Sequence, residues 1–455
     1  MKYHNPIITG FHPDPSVCRV GNDFYLVNSS FEYFPGIPIY HSTDLTHWEQ
    51  IGHVLDRKNQ LKLVSGAPNC LGIYAPTIRY HEGIFYCIVT NVGGRSGGNF
   101  FVYTTDPYGR WSNPVKLPFA GIDPSLFFDE DGRIYYTGTD TGIYIAEITF
   151  DVVRNDTPKR NELPVSIQNV KCGEKHYIWN GSGGNNPEGP HLYRIHDMYY
   201  LMIAEGGTEY CHMVTIARSK NVYGPYEACP HNPVLSNRST CLNIKAIGHA
   251  DLVEDSQGSW WAVCLGIRPL GYPFRHNLGR ETMLAPVKWE NGWPVMGDNG
   301  TVTETFEVET APGKKTRKSD FYIPGSNMTD TFCSNKLHPS WNTIYTPVSK
   351  FVKPTKQGLS LCAYDTTLSD DKPKAILVRR QEHFHFTATA TLTLESVNAG
   401  SEAGITIYMN NRHHYEAALS TVGNGEYFLI LRRRIGSLQA VEARIPFHCN
   451  TVQFI

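Results

Sequence analysis

The stretch "NPIITGFHPDPSVCRVGNDFYLVNSS", residues 5–30, sets Asp14 between two prolines, then an apolar run, a polar turn and an aromatic pair. The same pattern returns four times. "DPSVCRVGNDFYLVNSS" starts at Asp14, "APTIRYHEGIFYCIVTN" at Ala75, "DPSLFFDEDGRIYYTGT" at Asp123, "EGPHLYRIHDMYYLMIAEG" at Glu188 and "HADLVEDSQGSWWAVCLG" at His249. Each copy has a lead residue, a short apolar strand, a turn and a second strand carrying two adjacent aromatics. The pairs are Phe24/Tyr25, Phe85/Tyr86, Tyr135/Tyr136, Tyr199/Tyr200 and Trp260/Trp261. The turns use the expected residues, such as Gly21-Asn22-Asp23.

Several copies continue into an outer strand, as in "IYHSTDLTHWEQIG" near 39–52 and "VYTTDPYGRWSNP" near 102–114. No long 3.6-residue periodicity appears in this region, so helices are few. Repeats of this size, built mostly of strand, predict the four-stranded blades of a five-bladed β-propeller, though longer than usual blades. A β-sandwich of equal length would not explain repeats that begin at matching positions. The propeller is expected over 1–305 and a linker over 306–324, around the Lys/Arg cluster at 314–318. Long alternating strands over 325–455 predict an antiparallel β-sandwich, so the chain reads as all-β. Its last residues, "NTVQFI", stop inside a strand-like run, which reads as a sandwich cut short.

Composition excludes several classes. Of 455 residues, 41% are hydrophobic and 18% charged, and the net charge is −2, so there is no electrostatic footprint for nucleic acid or an anionic membrane. No run approaches the ~18 apolar residues of a membrane span. The 11 cysteines are scattered without a CxxC pair, which reads as free thiols in a reducing compartment. "MKYHNPIITGFHPDP" has no apolar signal segment, so a cytoplasmic location is expected, although a recloned secreted form looks the same. Aromatics at 12% suit both a β-rich core and the stacking of sugar rings.

The innermost strands of a propeller line its axis. Asp14, Ala75, Asp123, Glu188 and His249 would therefore converge. An Asp-Pro step alone is a common turn start. Two Asp-Pro-Ser copies in register, with Glu188 in a third, argue for chemistry, because packing has no use for carboxylates that repel and resist desolvation. Neighbouring carboxyls acquire unequal pKa values, so one can serve as acid and another as base. For His249 a satisfied interior histidine is an equal reading.

"HPDPS", "GIYAPTIRY", "GIDPSLF", "NNPEGPHLY", "MIAEGGT", "GHADLV" and "LGRE" together resemble glycoside hydrolase family 43, in its β-xylosidase and α-L-arabinofuranosidase branch. The resemblance extends to the sandwich as that branch's accessory domain. It implies an inverting exo-glycosidase with Asp14 as general base, Glu188 as general acid, and Asp123 holding Glu188 and keeping its pKa raised. It further implies that Arg280 grips sugar hydroxyls, that Phe31 and Tyr74 wall the pocket, and that His249 sits at the axis, where some members bind Ca²⁺. The chemistry itself is expected to need no cofactor. Tyr74-Ala75-Pro76-Thr77 stands where many xylosidases carry Trp-Ala-Pro-Asp. The resemblance also implies that the sandwich can lend an aromatic loop to the pocket, a loop that a shortened sandwich would lack.

The expected substrates are xylo- and arabino-oligosaccharides. Sandwich-bearing members often form homo-oligomers. Fructan-cleaving propellers carry Asn-Asp-Pro-Asn-Gly and Arg-Asp-Pro blocks, and this chain has neither. The alternative from another class is a non-catalytic carbohydrate-binding propeller, which gains nothing from acids at three of five leads.

Overall fold

The adjacent aromatics explain how the blades hold together. Neighbouring residues of a strand point to opposite faces of the sheet. Each pair therefore sends one ring to each side of its blade. Tyr25 and Phe85 join one buried cluster, and Tyr86 and Tyr136 join the next. Tyr135 and Tyr199 share a third, while Phe24, Tyr200 and Trp261 fall in the largest. The repeat visible in the sequence is thus the packing unit between neighbouring blades.

The structure is a computed structural model that describes residues 2–63, 69–93, 97–159, 162–307, 321–334, 336–396 and 398–455. Five separate antiparallel sheets follow one another along the chain. Blade one is Ser16–Val20, Asp23–Val27, Gly36–Ser42 and Glu49–Leu55. Blade two is Thr77–His81, Ile84–Val92, Gly98–Thr104 and Val115–Lys116, with Gly72–Ile73 also on its second strand. Blade three is Ile122–Phe128, Ile134–Thr139, Ile143–Arg154 and Val165–Cys172, with His176–Trp179 on its third. Blade four is Glu188–Ile195, Met198–Glu205, Met213–Ser219 and Glu227–Ala228, and blade five is Lys245–Glu254, Trp260–Ile267, Glu281–Glu290 and Trp293–Met296. The five first strands touch in a closed ring, blade five returning to blade one. Lys2–His4 pairs with Thr305–Glu307, and Ile8 bridges Thr282, so the chain's start is tied to the last blade.

The chain divides into two compact units. The first takes in the described residues up to 360 other than Asn69, together with 376–383, so part of the stretch after 325 belongs with the propeller. Arg380, for example, donates from Nε to the Phe11 carbonyl at 2.6 Å, beside the segment that carries Asp14. The second unit holds Asn69 and the described residues of 361–375 and 384–455. Its main sheet runs Glu402–Asn410, His413–Gly423, Glu426–Ile435 and Leu438–Phe447, and Ala390–Thr393 pairs with Thr451–Phe454. This is the β-sandwich domain. The basic cluster at 314–318 lies outside the described residues. All eleven cysteines are free thiols. Among the described residues no helix is long and apolar enough to cross a membrane.

Candidate active site

The innermost strands are not regular where the lead residues sit. Pairing shifts between Ile122 and Ser125 in blade three, between Glu188 and His191 in blade four, and on both sides of Gly248 in blade five. Such bulges bend a strand and re-aim its side chains. Asp14 and Asp123 both take φ 53°, and His249 takes φ 47°. A non-glycine residue held in this left-handed region stores about 1–3 kcal/mol of strain, and such residues cluster at functional sites. Equivalent strained Asp-Pro steps in blades one and three thus aim two carboxylates at one axis.

The structure brings together Asp14, Asp123, Glu188, His249, Arg280, Phe31 and Tyr74. A donor atom from each of Asp123, Glu188 and His249 lies within 4.8 Å of the others. Arg280 Nη1 donates to Asp14 Oδ1 at 2.9 Å, and Ser29 Oγ donates to Asp14 Oδ2 at 2.5 Å. The Arg280 guanidinium lies 5.5 Å from the Phe31 ring centre, and the Phe31 ring meets Tyr74 edge-on at 5.7 Å. Phe11 stacks on the other side of Phe31 at 5.6 Å. Arg280 is positioned by its neighbour: buried Glu281 accepts two nitrogens of Arg268 at 2.7 and 2.9 Å and the Gly10 N–H at 2.9 Å. Asp14, Asp123 and His249 are buried, whereas the Glu188 side chain keeps 18% exposure.

The carboxyls differ in proton affinity. Burial alone would raise Asp14, but Arg280 first, then His249 and the Ser29 hydroxyl, outweigh it and hold Asp14 below the usual carboxylate range. Burial, and then the charge of Asp14, push Glu188 up to about 7. Burial, followed by the charges of Glu188 and Asp14, also pushes Asp123 well up. Asp123 and Glu188 therefore titrate as an interacting pair, both above the usual carboxylate range. The Gly189 N–H reaches Asp123 Oδ2 at 3.2 Å, which favours the anion on Asp123 but is outweighed by burial and the two neighbouring acids. Burial pushes the His249 imidazole down, and the Asp14 charge works against it.

Other contacts had no signal in the repeat pattern. His212 is fully buried, with Nε2 3.8 Å from Glu188 Oε1. A Cβ at Gly248 would lie 2.3 Å from its ring, so glycine there makes room for it. Thr208 Oγ1 lies 3.5 Å from the same Glu188 oxygen. Ser29 and His212 reach the site from strand ends and loops, where the lead spacing does not apply.

Calcium does not fit these residues. Ca²⁺ takes six to eight oxygen ligands. The group around His249 offers one nitrogen and two carboxylates, and burial raises the proton affinity of both carboxyls.

A five-bladed propeller that gathers carboxyls of opposed proton affinity at the mouth of its axis has the site of a hydrolase working by acid–base chemistry. Residues 3–294 match "Glycosyl hydrolases family 43", and residues 329–453 match "Beta xylosidase C-terminal Concanavalin A-like domain". The chain belongs to glycoside hydrolase family 43. It is 42% identical over 442 residues to a non-reducing end alpha-L-arabinofuranosidase of Bacteroides ovatus, covering 95% of this chain and 78% of that one. It is 34% identical to a beta-xylosidase of Bacillus subtilis, covering 91% and 78%. The crystal structure of a xylan beta-1,4-xylosidase from Bacillus halodurans superposes with a TM-score of 0.83 at 31% identity, over 99% of this chain and 86% of that one.

Proposed function

We propose that this glycoside hydrolase removes terminal β-D-xylosyl or α-L-arabinofuranosyl units from oligosaccharides with inversion at the anomeric carbon. The unequal carboxyls carry this reading: Asp14 is held ionised and Glu188 is held protonated up to about pH 7. In the mechanism, Asp14 takes a proton from a water as the water oxygen bonds to C1. The C1–O bond breaks, and Glu188 gives its proton to the departing oxygen. Asp123 keeps that proton on Glu188 until it is needed. Arg280 orients Asp14, and Phe31 and Tyr74 wall the sugar. Inversion requires carboxyls roughly 6.5–9.5 Å apart, with the water between them and C1. No cofactor enters these steps. The names of the relatives support the two sugars, and the eleven free thiols support a reducing, cytoplasmic setting.

The test pairs nitrophenyl β-xyloside with nitrophenyl α-arabinofuranoside and follows the first-released anomer by NMR. Inverted product from at least one is expected. Retained configuration, or hydrolysis of neither, overturns the reading.

The same assignment sets a pH profile. The rate should rise as pH passes the lowered pKa of Asp14 and fall as it passes about 7, where Glu188 loses its proton. Asp123→Asn removes the acid that titrates together with Glu188, so the alkaline limb should move. A kcat/KM profile whose alkaline limb stays in place would show that Asp123 does not tune Glu188.

A further inference from the structure

The loops at the mouth of the site hold aromatic rings that the acid–base chemistry does not use. Glu188 pairs with Ala204, and Gly248, next to His249, pairs with Leu265, so the second strands of blades four and five end within two residues of these positions. The loops leaving those ends, 206–212 and 268–280, therefore emerge on the face that carries Glu188 and Arg280. The first touches the acid through Thr208. Two residues further on, the Tyr210 hydroxyl donates to the Phe274 carbonyl of the second loop at 2.5 Å, and their rings meet edge-on at 5.1 Å. Tyr272 leans on Phe274 at 5.9 Å.

The second loop is braced. Arg268 at its start is clamped to Glu281 just past its end, and the Leu270 N–H bonds to the Arg275 carbonyl at 2.6 Å. Even so, Tyr272 is 90% exposed, Leu270 57% and Tyr210 43%. Holding large apolar side chains in water on a fixed loop forgoes burial, and exposed apolar patches of this kind mark binding sites.

We propose that Tyr272 and Tyr210 form a platform for the leaving-group sugars of an oligosaccharide substrate. This rests on the reading of Glu188 as the acid, because the departing oxygen must then lie on the Glu188 side of the pocket, where loop 206–212 runs. A pyranose offers an apolar C–H face that stacks on a flat ring, while its hydroxyls stay in water or reach the tyrosine hydroxyls.

The experiment compares kcat/KM for the glycosyl fluoride of the released sugar, which has no leaving sugar, with kcat/KM for the matching disaccharide and trisaccharide. Tyr272→Ala should lower the ratio of trisaccharide to fluoride about tenfold, the order expected for one aromatic contact. Tyr272→Phe, which keeps the ring, should retain the wild-type ratio. A ratio within twofold of wild type in Tyr272→Ala overturns the platform alone. A wild-type chain that hydrolyses neither fluoride nor oligosaccharide overturns the acid–base reading and the platform with it.

Discussion

Glu188→Gln is expected to slow hydrolysis of sugar-linked substrates by about 10²–10⁴-fold, the contribution of a positioned general acid. Gln keeps the size of the side chain and its contacts with Thr208 and His212, but it carries no transferable proton. The loss should depend on the leaving group. Nitrophenolate departs without protonation, so an aryl glycoside should lose far less than a disaccharide. Asp14→Asn should hurt both substrates alike, because water attack is common to them. The alkaline limb near pH 7 should also vanish in Glu188→Gln, since the group that titrates there is gone. Equal losses on aryl and sugar leaving groups would place Glu188 in a structural role and leave the acid unassigned.

Asp251→Ala is expected to destabilise the propeller by about 3–5 kcal/mol, the cost of leaving a buried partner charge unpaired. Asp251 has no exposed surface. It accepts Arg79 Nη1 at 2.8 Å and Nη2 at 3.1 Å, Ser16 Oγ at 2.6 Å, the Val17 N–H at 3.1 Å and the Tyr193 hydroxyl at 2.6 Å. His191, 3.0 Å from Arg79, lies 3.2 Å from Ser125 Oγ. All five blades thus meet in one polar knot. Removing the carboxylate strands the Arg79 guanidinium inside it. Burial would raise Asp251, but Arg79 and then His191 hold it far below the usual range. A group depressed in this way stabilises above its unfolded pKa and loses that contribution as pH falls through the folded value. Wild type should therefore keep this stabilisation until strongly acid pH, and Asp251→Ala should lose it at every pH. Thermal midpoints of both proteins across pH would check this. A midpoint shift of under one degree at pH 7 would mean the knot is not what holds the blades in register.

Much of this was readable from residues alone, and for a physical reason. A propeller repeats one supersecondary unit, so chemistry needed at the axis recurs at a fixed place in each repeat. Asp14, Asp123, Glu188 and His249 are visible as leads for that reason. The aromatic pairs are visible because strand alternation sends one ring to each inter-blade core. Arg280, Phe31 and Tyr74 came only from the family resemblance, since nothing in the repeat sets their positions. His212, Ser29 and Thr208 gave no signal, because they approach Glu188 and Asp14 from loops and strand ends of irregular length. The partition after residue 325 was equally hidden: alternating strands read alike whichever unit they pack on, and Arg380 bonds beside the Asp14 segment from 369 residues away.

The amino-acid order by itself determined the five blades, their aromatic packing and the three acids at their heads, because each of these follows from local alternation and from repetition along the chain. Only the tertiary structure decided how far apart the proton affinities of these acids lie. Proton affinity depends on burial and on charges brought close in space, and it was folding that set Arg280 against Asp14 and buried Asp123 beside Glu188 and Asp14.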